Sequence, residues 1–205
     1  MTYFNLELDM KIDIKSFILL NIIDTCALWH LLSSDRLYNI AKTNGCYFSC
    51  TSYVLYECLY KPRKIIKETD KKLMGKLCKI IDEFHSKSYS ISIEDLQSIM
   101  ALEKRKALSK GELSSIVFAE KTRQAFLTDD QAARKLSEFR LGSKNTQTIP
   151  HLFGWLSYNQ KILDNDKDII IQEHELNGGE LGKYFIETFN KARELILIDK
   201  YSSSS

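Results

Sequence analysis

The chain opens on a strict alternation. Phe4, Leu6, Leu8, Met10, Ile12 and Ile14 are apolar and most positions between them are polar. That period of two predicts a half-buried strand, or two short ones. A continuous apolar run, FILLNII over residues 17–23, comes next. A strand apolar on both sides suits the interior of a parallel sheet. Asp24 and Thr25 end the run, and helical spacing continues from Ala27 to about Ala41. Tyr47–Cys50 predicts a short strand, Ser52–Tyr60 a helix stopped near Pro62, and residues 64–85 a longer, lysine-rich helix. A short strand is expected over Ser90–Ile93 and helices over Glu94–Leu108 and Ser109–Lys121. Ala125–Thr128 predicts a strand and Asp130–Phe139 a helix. Residues 151–160, 164–176 and Leu181–Leu197 look helical, with Gly178-Gly179 separating the last two.

Short strands alternating with helices predict an α/β fold, a three-layer α/β/α sandwich around a central, mainly parallel sheet. An extra N-terminal strand segment and C-terminal helices are expected beside it. The expected organisation is one domain over residues 1–200, with a core of about 17–160, a helical extension over 161–200 and a disordered tail over 201–205. Ligands of such sheets bind outside the carboxyl ends of the strands.

Composition narrows the class. A chain of 205 residues fits one domain with a real core. Its 29 basic and 27 acidic residues leave a net charge of +2, which excludes a bulk polycation. Two prolines and eight glycines disfavour a many-turned sandwich or barrel. The 17–23 run is far short of the roughly 20 residues a membrane helix needs. The five cysteines are an odd number, and Cys46 and Cys50 lack a second pair at zinc-site spacing. Together with an N-terminus unlike a signal peptide, this predicts a reduced, cytoplasmic protein that does not enter a membrane.

Four places carry candidate chemistry. Asp24 follows the most hydrophobic strand and sits at the carboxyl edge of the sheet, where it also suits a helix N-cap. Glu57 lies at the edge of an apolar helical stripe, either paired or reaching water. Glu112, in Ser109-Lys110-Gly111-Glu112, is either the acid of a capping box or an inward-facing group. Asp129-Asp130 ends a strand, and one acid would suffice for a cap, so the pair points to a cation. Like charges gathered at one edge raise each other's pKa unless a cation neutralises them. Oxygen-only ligands suit Mg²⁺ or Mn²⁺.

Four segments together resemble the PIN-domain nucleases: FILLNIIDTCAL, SYVLYECLY, LSKGELSSIVFAE and AFLTDDQAARKLSE, within roughly residues 17–160. The resemblance implies a quartet of acids that binds one or two Mg²⁺ or Mn²⁺ ions and hydrolyses RNA phosphodiester bonds. Carried onto this chain, the quartet is Asp24, Glu57, Glu112 and either Asp129 or Asp130, with Thr25 and Thr128 as supporting hydroxyls. It further implies a ribonuclease toxin of a toxin–antitoxin pair or a related defence nuclease, an antitoxin protein as partner, and a homodimer. The N-terminal alternation, the long lysine-rich helix and the region after residue 160 depart from the shorter members of that family.

Nucleic acid approaching acids needs basic residues nearby. Residues 61–79 hold eight bases against two acids, a local +6, among them Lys64, Lys67 and Lys71. A solvated helix face explains such a run equally well. Lys104, Arg105, Lys106 and Lys110 approach the acids from another side, and Arg134 stands four residues after Asp130, placed for a phosphate or for an ion pair. Tyr53, Tyr56 and Tyr60 suit either base stacking or packing. A second reading of the whole is a catalytically silent PIN-fold scaffold for protein or RNA. A phosphatase with an aspartate nucleophile is disfavoured, because the second aspartate it wants two residues on is Cys26.

Overall fold

In the computed structural model, residues 13–81, 92–103 and 108–202 are described. The apolar run becomes β1, Leu20–Ile23, followed by α1 (Thr25–Ser33), α2 (Asp35–Thr43), β2 (Tyr47–Ser49), α3 (Ser52–Leu59) and α4 (Glu68–Ile80). Then come α5 (Ile93–Glu103), α6 (Lys110–Thr122), β3 (Ala125–Leu127), α7 (Gln131–Leu141) and, after one 3₁₀ turn, β4 (Thr146–Gln147). The chain finishes with α8 (Ile149–Tyr158), α9 (Asp164–Leu176) and α10 (Gly182–Ser202). All strand pairs are parallel, in the order β2-β1-β3-β4, so β1 is an interior strand as its apolar composition requires. The chain is α/β.

Alternation along the strands feeds two cores. Ile22 and Phe126 pack with Ile99, Leu113, Ile116 and Leu136 on one face. Ile23 and Leu127, one residue further on, pack with Leu28, Leu31, Val54, Phe153 and Phe185 on the other. Helices thus cover both faces, an arrangement compatible with a three-layer sandwich. The helices after residue 160 share this second core through Ile170, Phe185 and Phe189. Among the described residues no helix is long and apolar enough to cross a membrane.

The polar break in the apolar run is satisfied from a strand that periodicity misses. Asn21 is buried, its Oδ1 accepts from Gln147 Nε2 at 2.6 Å, and its Nδ2 donates to the Ile18 carbonyl at 2.7 Å. Gln147 also accepts from Ile18 N at 2.7 Å. β4, only Thr-Gln, is held to β3 with Leu127 opposite Gln147.

Several expectations are corrected. The helix expected over 27–41 is two helices, broken at Ser34. The Ser34 hydroxyl accepts from Leu37 N and donates to Glu173 Oε2 at 2.7 Å, an acid that takes Arg36 N as well. The lysine-rich helix begins at Glu68 rather than 64. Ile93 opens α5 instead of closing a strand, and Ser90 and Ile91 lie outside the described residues. Tyr201 and Ser202 belong to α10, not to a tail. Of the alternating segment only Asp13 and Ile14 are described. Ile14 is buried against Gly154, where any Cβ would meet Ile14 Cγ2 at 2.9 Å.

His174 on α9 stitches the C-terminal helices to α1. Its Nε2 accepts from Leu181 N at 3.0 Å, so Nδ1 carries the proton and donates to the Ser33 hydroxyl. That hydroxyl in turn donates to the His30 carbonyl at 2.6 Å. A second ring proton would face the Leu181 N–H. Burial, reinforced by nearby His30, pushes His174 down to about 4. The neutral ring lies against Gly179, where a Cβ would fall well inside van der Waals contact with ring atoms. Gly179→Ala therefore forces the ring off its partners and is expected to lower the unfolding free energy by about 1–3 kcal/mol. Urea denaturation reads this directly, and an unchanged midpoint would refute the packing argument.

Candidate active site

The register of the sheet brings two strand ends together. Ile23 is opposite Leu127, and Asp24 N donates to Leu127 O at 3.2 Å. Asp24 and Thr128 therefore leave the sheet side by side. Asp24 is only 1% exposed. Its Oδ1 accepts from Ala27 N at 2.8 Å, capping α1, and its Oδ2 accepts from the Thr128 hydroxyl at 2.5 Å. The Thr128 oxygen also accepts from Asp130 N at 3.1 Å, which links the two segments.

The other acids arrive on helix starts. Asp130 caps α7, its Oδ1 accepting from Ala133 N at 2.8 Å. Glu112 forms the capping box of α6: its Oε2 accepts from Ser109 N at 2.7 Å, and Glu112 N donates to the Ser109 hydroxyl. Glu57 does not reach for water. It accepts from the Thr25 hydroxyl at 2.9 Å and from Gly111 N at 3.3 Å, joining α3 to the starts of α1 and α6. Gly111 is required there, because any Cβ would strike the Glu57 carboxylate. Asp129 turns the other way. Its Oδ1 accepts from Ile149 N at 3.0 Å, and its Oδ2 lies 2.8 Å from His30 Nδ1.

The capping alternatives are thus realised at Asp24, Glu112 and Asp130, and the acids are nonetheless neighbours. Burial is the largest cause that raises Asp24 to about 7, and the charges of Asp129 and Glu112 add to it against the opposing bonds from Thr128 and Ala27. Glu112 is raised by burial and by Asp130 and Glu57. The Cys26 thiol, one turn before His30 on α1, is pushed up by burial and by Asp129, Asp24, Asp130 and Glu112.

Among the described residues, no three carboxylate, imidazole or thiol groups stand close enough together to form a metal site as they are placed. The donor chemistry fits a hard divalent cation all the same. Every acid is an oxygen donor, Asp24 is destabilised as an anion, and Glu112 and Asp130 each have a carboxylate oxygen outside their capping bonds.

The basic residues divide. Lys61 Nζ is 3.9 Å from Glu57 Oε1, and exposed Lys110 follows Ser109 at the start of α6. Lys71 pairs with Glu68 at 2.6 Å, Lys67 precedes α4, and Lys64 is exposed in the segment before it. Lys76 and Arg63 do structural work: Lys76 binds the Leu32 carbonyl and Asp35, and Arg63 donates to the Glu57 and Cys58 carbonyls. Arg134 is 5% exposed, so its side chain lies largely beneath the surface. Lys104, Arg105 and Lys106 lie outside the described residues.

Periodicity misses one member of this neighbourhood. His30 sits in the apolar pattern LWHLL, and its partner is 99 residues away. Its only local signal is its four-residue spacing from Cys26, which puts both on one helix face. Compared with protein-family models, curated proteins and solved structures, the chain matches none.

Linkage makes the site measurable without substrate. An acid whose folded pKa is raised keeps its full stability below the unfolded value and loses it as pH climbs through the folded one. For Asp24, raised from 3.8 to about 7, the loss runs across that window and amounts to at most about 4 kcal/mol. Asp24→Asn, measured in chelator, is expected to unfold with a smaller loss of stability between pH 4 and 7 and to be more stable than wild type at pH 7. Parallel stability–pH curves for the two proteins would refute the assignment.

Proposed function

We propose that the chain is a Mg²⁺- or Mn²⁺-dependent ribonuclease that hydrolyses RNA phosphodiester bonds at the acidic edge of its sheet. The observation that carries this reading is Asp24: a carboxylate buried at the end of the interior strand, raised to about 7, with Asp129 and Glu112 as charged neighbours. A fold has no structural need for so costly a cap, since serine or threonine serves as well. The resemblance of the four acidic segments to PIN-domain nucleases supports the same reading. It extends it to a PIN-like sandwich and to a toxin, or related defence nuclease, controlled by a partner protein.

In this reading Asp24, Glu112 and Asp130 hold the cation. When bound, it acidifies a water and neutralises charge on the leaving oxygen. Thr128 keeps Asp24 oriented through its hydroxyl, and Glu57, fixed by Thr25 and Gly111, holds the far wall. Lys61 and Lys110 at the rim offset the repulsion between the acids and an approaching phosphate.

One observation favours the scaffold alternative: the acids are engaged as caps, and no three are gathered as a ligand set among the described residues. Purified protein separates the readings. Wild type with Mn²⁺ is expected to cut a structured RNA. Asp24→Asn should be folded and inactive, a loss of at least about 100-fold if the cation is required for the chemistry. Cleavage retained in Asp24→Asn, or no cleavage by wild type with either metal, sinks the nuclease reading.

A further inference from the structure

His30 stands beside the acids and has no part in the proposed reaction. Its Nδ1 is 2.8 Å from Asp129 Oδ2, and the Asp129 side chain is 1% exposed. Ile149 N occupies the other oxygen of Asp129. Asp129 is therefore fixed at both ends, between α1 and the start of α8. It stands between Thr128, which bonds Asp24, and Asp130, whose N–H bonds Thr128. A shift of the backbone at Asp129 would carry both neighbours with it.

The imidazole is held in turn. Its ring meets that of His174 edge-on, 5.5 Å between centroids, and His174 is locked by Ser33, Leu181 N and the bare backbone of Gly179. The bond to Asp129 needs only a proton on Nδ1. Both the neutral Nδ1–H tautomer and the imidazolium supply it, so the contact does not depend on the charge of the ring.

We propose that His30 is a positioning residue of the acidic site: its Nδ1–H holds Asp129, and through the Thr128–Asp130 turn it sets Asp24 and Asp130 in the relation that binds a divalent cation. The inference rests on the nuclease reading for the identity of the cation. It assigns Asp129 to support, and it makes the α9–α10 region a determinant of the site's geometry.

The test is Mn²⁺ affinity, read by the electron paramagnetic resonance of free Mn²⁺ during titration of full-length protein, without RNA. Removing an outer group that orients a ligand costs about 10- to 100-fold in metal affinity, and His30→Ala is expected to fall in that range. His30→Asn places an amide Nδ2–H at the reach of Nδ1 and is expected to bind close to wild type. A merely structural role predicts that both variants lose affinity in proportion to lost thermal stability. Unchanged affinity in His30→Ala, or equal loss in His30→Asn, overturns the inference, as does a wild type that binds no Mn²⁺. Mn²⁺ binding with the expected His30 dependence but without RNA cleavage leaves the inference standing and removes the nuclease reading.

Discussion

A parallel sheet ends all its strands at one edge, and each strand there is followed by the N-terminus of a helix. In this chain the starts of α1, α6, α7 and α8 offer Ala27 N, Ser109 N, Gly111 N, Ala133 N and Ile149 N to the carboxylates of five acids. Each helix start favours an anion by about 0.3–1 kcal/mol, more when partly buried. The rise of Asp24 to about 7 corresponds to roughly 4 kcal/mol against its charge. The donors do not close that gap. An anion left short of compensation at the edge of a parallel sheet is the physical basis for expecting a cation there.

Capping and function are not rivals at such an edge. Glu112 and Asp130 each spend one oxygen on the backbone at a helix start, and this fixes the carboxylate without consuming it, whereas Asp24 also gives its second oxygen to the Thr128 hydroxyl. A capping bond orients the side chain more rigidly than water does. The same bond that stabilises the helix presents the second oxygen in a defined direction. Glu57 differs: it begins no helix, and its place depends on the Thr25 hydroxyl and on the missing side chain of Gly111.

What was legible in the chain was local. The apolar run before Asp24 predicts an interior strand, and Ser109-Lys110-Gly111-Glu112 offers a capping box as one of its two readings. Both appear, because each is decided by neighbours within a few residues. What was not legible was set from a distance. β4 is two polar residues, and Gln147 belongs there because Asn21, 126 residues earlier, needs a partner. The break at Ser34 is completed by Glu173, 139 residues on. His30 reads as one more position on an apolar helix until Asp129 is placed beside it. Glu57 stayed open between pairing and water for the same reason, since its partners come from two other helices.

The adjacent pair Asp129-Asp130 shows why two acids occupy a place where one would cap. Successive residues after a strand point in opposite directions, so the pair cannot serve a single ligand equally. Asp129 turns into the protein and is used up by Ile149 N and His30. Asp130 turns to the helix start and stays half-buried beside Glu112, whose pKa it raises. With an apolar residue in place of Asp129, the turn would lose its bonds to Ile149 N and His30 and be held by those of Thr128 and Asp130 alone. The inner acid ties the turn to α1 and α8, and the outer acid ties it to α7, so the two acids divide the anchoring of one loop between them.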